Sequence, residues 1–109
     1  MPRDSAERNL GFMADSVTVA PDVYSVMSEN NRVRVLQIKT KPGQGSELHS
    51  HPDAVLVAVT DCDWKLTVEG QEPVDIHVKA GDSMFLDAVS HTALDISQNG
   101  SHAIAVELK

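Results

Sequence analysis

Residues 64–79 read WKLTVEGQEPVDIHVK, two runs in which apolar and polar side chains alternate at a period of two. Trp64, Leu66 and Val68 oppose Lys65, Thr67 and Glu69, while Val74, Ile76 and Val78 oppose Asp75, His77 and Lys79. Successive side chains of an extended strand point to opposite faces, so each run presents one apolar face and one wet face. Gly70-Gln71 supplies a turn between them.

The same pattern extends outward in both directions. From Ser16 onward, short runs rich in Val, Ile and Thr alternate with Gly, Asn, Asp and Pro. They predict about nine strands, drawn from segments near 16–20, 23–28, 32–40, 45–51, 54–60, 63–69, 73–79, 82–87, 90–96 and 102–108. No segment sustains a period of 3.6 residues. The expected class is all-β, and strands this short and numerous close most economically as a jelly-roll or double-sheet barrel. The phase of the apolar residues changes between Val33, Val35 and Leu36, Ile38, which predicts a bulge in that strand. Trp64 and Phe85 are assigned to the core. Met84 and Leu86 alternate with Phe85, leaving both faces of that strand apolar, so a second sheet or a second subunit should cover it. Residues 16–109 are expected to form one domain. Residues 1–15 read as a mobile N-terminal arm or an edge arm in a dimer.

Composition narrows the function. With 9 basic and 16 acidic residues among 109, the formal charge is -7, which disfavours nucleic acid and anionic membranes as partners. No apolar run approaches the roughly 20 residues of a membrane span. The first dozen residues, MPRDSAERNLGF, lack the apolar centre of a signal peptide, so a cytoplasmic location is expected. The single Cys62 forms no internal disulfide, and Asp61 and Asp63 beside it oppose thiolate formation, so it reads as a turn cysteine without chemistry.

Five histidines stand at 49, 51, 77, 91 and 102. His49 and His51 share one face of a strand, close enough to hold one ion. If that face is interior, two buried polar rings need a partner, and a metal would satisfy both; if it is a surface, both are solvated. Glu47 has the same parity and is the candidate for a base, or for a ligand-orienting group, unless it forms a rim salt bridge. His77 alternates onto the wet face. His102 opens the last strand after Asn99-Gly100 and reads as exposed, or as a contact to the site.

Around these residues the chain resembles the cupin superfamily. Its first motif, G-x5-H-x-H-x(3,4)-E-x6-G, is matched at Gly43, His49 and His51, and its second, G-x5-P-x-G-x2-H-x3-N, at Gly81 and, with the loop before it one residue shorter, His91. The resemblance spans roughly residues 33–108 and implies a cupin-type double-stranded β-helix. The motif glutamate falls at Val55 or Leu56, neither of which binds a cation, so the implied ligands are three neutral histidines, His49, His51 and His91. Asp87 and Val89 replace the second motif's proline and glycine, and Asp95 its asparagine. Asp87, Asp95 and His102 are candidates to support the ligands. The resemblance implies one divalent transition ion per chain: iron for an enzyme, with zinc, nickel or copper as alternatives. Three-histidine iron centres occur in thiol dioxygenases and β-diketone-cleaving cupins. An Fe(II) dioxygenase acting on a small chelating anion is therefore the expected function. Alternatives are a non-catalytic ligand- or metal-binding module, and a barrel whose histidines are vestigial. A homodimer paired through the N-terminal segment is expected.

Overall fold

In the computed structural model, which describes residues 14–109, one helical turn precedes nine strands. They are α1 (Ser16–Val19), β1 (Tyr24–Glu29), β2 (Val33–Thr40), β3 (Gly45–His51), β4 (Ala54–Ala58), β5 (Cys62–Val68), β6 (Val74–Val78), β7 (Ser83–Leu86), β8 (Val89–Asp95) and β9 (Ser101–Leu108). A five-stranded sheet in the order β1-β2-β9-β4-β7 faces a four-stranded sheet in the order β3-β8-β5-β6. All named strand pairs are antiparallel. Gly43 and Gly81, the motif glycines, sit in turns at φ 80° and 88°, where a β-carbon would be strained.

The core lies between the sheets: Leu36 and Ile38 of β2, Leu56 of β4, Trp64 of β5 and Val78 of β6, with Ala103 and Ala105 of β9. Alternation is cleanest in β9, where Ser101, Ala103, Ala105 and Glu107 are buried and His102, Ile104 and Val106 are half-buried on the other face. The larger aliphatic residues of β9 thus face outward, and the small ones face the interior. Ala54 and Ala58 on β4 continue that choice, which leaves space between the sheets.

Three expectations are corrected. Residues 16–19 form a helical turn instead of a strand: the Thr18 and Val19 amides donate to the Asp15 carbonyl, and Ala20 donates to Ser16. β-Branched residues favour strands only weakly, and here local hydrogen bonds and the packing of Val17 and Ala20 on the core prevail. The irregularity expected in residues 33–38 lies on the partner strand, between Val26 and Ser28, while β2 pairs with β9 without a break. The phase change in β2 arises because Arg34 shares the inward face with Leu36 and Ile38, leaving Val33 and Val35 on the outer face. Phe85 is 55% exposed, because Met84 and Leu86 take the two inward positions of β7; Trp64, at 5%, is core as expected. The arm assigned to 1–15 lies outside the described residues except for Ala14 and Asp15. The Ala14 carbonyl accepts a 2.8 Å hydrogen bond from the Ser50 amide, and Asp15 bridges to Ser50 in parallel.

Candidate metal centre

Antiparallel pairing brings His49 of β3 directly opposite His91 of β8, and His51 follows two residues on, so three imidazoles converge on the inner face of one sheet. Ring centroids are 4.8 Å apart for His49 and His51, 4.9 Å for His49 and His91, and 5.4 Å for His51 and His91. One nitrogen from each ring lies within 4.8 Å of the others. His49 is fully buried and His91 is 5% exposed.

A bulge in β3 decides which neighbours join them. Ser46 pairs with Ala93 and His49 with His91, so β3 advances one residue further than β8 between these pairs. Ser46 therefore shares the inner face with His49, while Glu47 and Leu48 are exposed. Strict alternation had placed Glu47 beside the histidines; its side chain points away, and only its carbonyl takes part, accepting a 2.7 Å hydrogen bond from His49 Nδ1.

The opposite sheet supplies residues that motif reading missed. The Tyr24 hydroxyl of β1 donates to His49 Nε2 at 3.0 Å. Glu107, 2% exposed on β9, accepts from His51 Nδ1 through Oε2 at 2.9 Å. Its Oε1 accepts from Arg34 Nε at 2.9 Å, and Arg34 also forms an ion pair with Asp15, with Nη1 to Oδ2 at 3.1 Å. The chain Asp15, Arg34, Glu107, His51 thus ties the N-terminal segment to the cluster. The sequence held a signal for it: Arg34 and Glu107 are charged residues in inward slots of otherwise apolar strands, and a buried charge requires a partner.

Burial keeps His49 and His91 neutral. Burial, opposed by the hydrogen bond to the Glu47 carbonyl, lowers the His49 pKa to about 4. Burial and then the neighbouring His49 and His51 lower that of His91 to about 3. Burial raises the Tyr24 phenol to about 12, so it stays protonated. Arg34 is held above its ordinary value, chiefly by the hydrogen bonds to Asp15. With Nδ1 of His49 and His51 committed to acceptors, their Nε2 atoms carry the lone pairs, that of His49 accepting from Tyr24. Convergent imidazoles with carbonyl and carboxylate acceptors behind them form a donor set that fits a divalent transition ion.

The other candidates lie elsewhere. Asp87 is exposed. Asp95 is buried, but its carboxylate accepts from Thr40 Oγ1 and from the Ser97 amide at 2.7 Å, so no histidine is hydrogen-bonded to it. His102 is half-buried on the outer face of β9, with Nε2 3.2 Å from Gln37 Oε1. His77 is exposed and pairs with Asp63. Cys62 is fully buried, and burial raises its thiol pKa.

His51 and His91 line a cavity of about 40 Å³ between the sheets. Its other walls are mainly apolar, with Ile38, Leu56, Trp64, Leu66, Ile76 and Leu86 among them. At its far end the Trp64 Nε1 donates to Thr40 Oγ1 at 3.0 Å. No helix among the described residues is long and apolar enough to cross a membrane.

No family model matches the chain, and no curated protein matches it in sequence. Solved structures do match in fold. A cupin domain from Bordetella pertussis Tohama I is 25% identical, with a TM-score of 0.73 over 80% of this chain and 92% of that one. An RmlC-like cupin family protein with a double-stranded β-helix fold from Methanocaldococcus jannaschii is 18% identical, with a TM-score of 0.63 over 79% of this chain and 78% of that one. A conserved protein with a double-stranded β-helix domain from Klebsiella pneumoniae is 21% identical, with a TM-score of 0.62 over 79% and 75%. Two antiparallel sheets closed around inward-facing histidines, in the company of these neighbours, make this chain a cupin by fold, a small double-stranded β-helix with a three-histidine cluster between its sheets.

Proposed function

We propose that the chain is a metal-dependent small-molecule enzyme, an Fe(II) dioxygenase acting on a chelating anionic substrate. The observation that supports this most is the donor set: three convergent imidazoles with no carboxylate among them, two of which, His51 and His91, line a mainly apolar cavity. Iron held there would supply Lewis acidity and oxygen chemistry, with its full charge available to a chelating anion. His49, His51 and His91 hold the ion, and Glu107 and the Glu47 carbonyl fix two of the rings. Tyr24, neutral and buried beside His49, presents a hydrogen-bond donor. Leu56, Leu66 and Ile76 exclude water.

The second reading is a non-catalytic binding module. It is favoured by Asp95, the one carboxylate on the cavity wall among the described residues, whose oxygens are already engaged by Thr40 and Ser97. Elemental analysis of tag-free wild type beside His49→Ala, followed by oxygen-uptake assays with β-diketones and small thiols, separates the readings. About one equivalent of iron with oxygen uptake supports the enzyme. Metal without turnover, together with a co-purifying metabolite, supports the module; no metal in either protein removes both metal readings.

The reading includes a homodimer. Phe85, Val55, Val106 and Val35 are successive cross-strand partners on the outer face of the five-stranded sheet, an apolar row across four strands. A second copy is the proposed cover.

A further inference from the structure

Asp15 stands at the N-cap of α1, where a carboxylate ordinarily accepts from the amides of the first turn. Its side chain makes no such bond. The Asp15 carbonyl accepts from Thr18 and Val19, while the carboxylate turns to Arg34 on β2, with Nη1 3.1 Å from Oδ2. A capping side chain is thus given over to a tertiary contact, and that contact leads to the histidines. Arg34 Nε and Nη2 lie 2.9 Å and 2.7 Å from Glu107 Oε1, and Glu107 Oε2 lies 2.9 Å from His51 Nδ1.

The same segment reaches the cluster by a second route. β3 is an edge strand of its sheet, and the Ser50 amide, between His49 and His51, donates to the Ala14 carbonyl at 2.8 Å. Asp15 forms a parallel bridge with Ser50. Residues 14–19 therefore grip β3 between two of the histidines and hold the ring of one of them through Arg34 and Glu107. Val17 and Ala20 pack against the core and anchor the segment.

Charge lets the far end of this relay be felt at the ring. Asp15, Arg34 and Glu107 together carry one negative charge behind His51; without the Asp15 carboxylate they carry none. A negative acceptor behind an imidazole strengthens it as a metal ligand, and a fixed acceptor fixes its orientation. All three side chains are mostly buried, so solvent screens them weakly.

We propose that Asp15 is a positioning residue for the metal site, and that docking of residues 14–19 on β3 is coupled to metal binding at the histidines. The docked segment raises metal affinity, and bound metal holds the segment down by the same factor. The proposal rests on the metal reading above and adds a control point to it: release of the segment from β3 loosens the metal.

The full chain is titrated with Zn(II) by calorimetry as wild type, Asp15→Asn, Glu107→Gln and the double variant, with the melting of each metal-free protein recorded. Asp15→Asn keeps the size and capping capacity of the side chain and removes its charge. It is expected to weaken Zn(II) by about five- to tenfold in the wild-type background, and by less than about twofold once Glu107 is Gln and the relay is already cut. Asp75→Asn, which removes the same charge from the exposed pair with Lys65, should leave the affinity unchanged. Hydrogen exchange reads the reciprocal effect. Saturating Zn(II) should slow the Thr18 and Val19 amides of wild type by about the factor lost in Asp15→Asn, and should slow them less in that variant. Equal affinities in wild type and Asp15→Asn, losses that add in the double variant, an equal loss in Asp75→Asn, or no slowing of these amides in wild type overturns the coupling with the metal site still standing. Failure of the wild type to bind Zn(II) overturns the metal reading and this proposal together.

Discussion

Glu107 Oε2 lies 2.9 Å from His51 Nδ1, a contact between β9 at the centre of the five-stranded sheet and β3 at the edge of the four-stranded one. A carboxylate accepts only, so it places the His51 proton on Nδ1 and turns the Nε2 lone pair toward the cluster. Arg34 holds the second oxygen of the same carboxylate, which stops Glu107 from turning away. Glu107→Gln keeps the shape but loses the charge. It is expected to weaken Co(II) or Zn(II) binding by about 10–100-fold, as measured by calorimetry. Glu107→Leu leaves Arg34 with Asp15 as its carboxylate partner and His51 Nδ1 without its acceptor, and should destabilise the fold by about 1–3 kcal/mol in urea titrations.

His49→Ala removes the most buried of the three rings and the partner of both Tyr24 and His91. For wild type, Zn(II) at a hundred times its dissociation constant should add about 2.7 kcal/mol of stability. Thermal melts with and without Zn(II) check this, and His49→Ala should show almost no difference between the two. A metal-induced shift of equal size in the variant would place the ion elsewhere.

The metal-free protein should lose stability as the pH falls from neutral. His49 and His91 have folded-state pKa values near 4 and 3, both lowered first by burial, whereas the unfolded rings titrate near 6.5. Above 6.5 both states are neutral and these groups add no pH dependence. Below it the unfolded chain takes up protons that the folded chain refuses, so stability falls by up to about 1.4 kcal/mol per pH unit for each ring. Urea titrations at pH 7.5 and pH 5 in the presence of a chelator are expected to differ by about 2–4 kcal/mol, with the lower pH less stable. A flat profile would mean that the folded rings accept protons freely.

The outer-face row of Phe85, Val55, Val106 and Val35 carries the dimer prediction. Light scattering behind size-exclusion chromatography should give twice the chain mass for wild type and the single chain mass for Phe85→Glu. Phe85 is 55% exposed in the single chain, so the substitution should leave the monomer fold intact by circular dichroism. A wild type that elutes as a monomer at tens of micromolar would discard the face as an interface.

Much of this architecture was legible in the residues. Period-two alternation in WKLTVE and VDIHVK matches β5 and β6, and each of the nine strands overlaps a segment expected from the sequence. Local backbone geometry is enough for that, because side-chain direction in a strand depends only on parity. Two of the three clustered histidines share a strand, so parity alone placed them on one face. His91 required a motif, since its position opposite His49 depends on strand pairing across 42 residues.

What the chain's own order determined was composition and parity: an acidic, strand-rich sequence with a His-x-His face and no acid at Val55 or Leu56, where the motif has one. What only the tertiary structure decided was the membership of the site. One extra residue in β3 turns Glu47 outward and Ser46 inward, an effect that depends on the register with β8 and not on any property of Glu47 itself. Glu107, Arg34, Asp15 and Tyr24 reach the histidines from other strands or from the N-terminal segment, at sequence separations that local pattern does not span. Closing two sheets face to face is the step that buries their charges and hydroxyl beside the imidazoles, and burial is what gives those groups one another as partners.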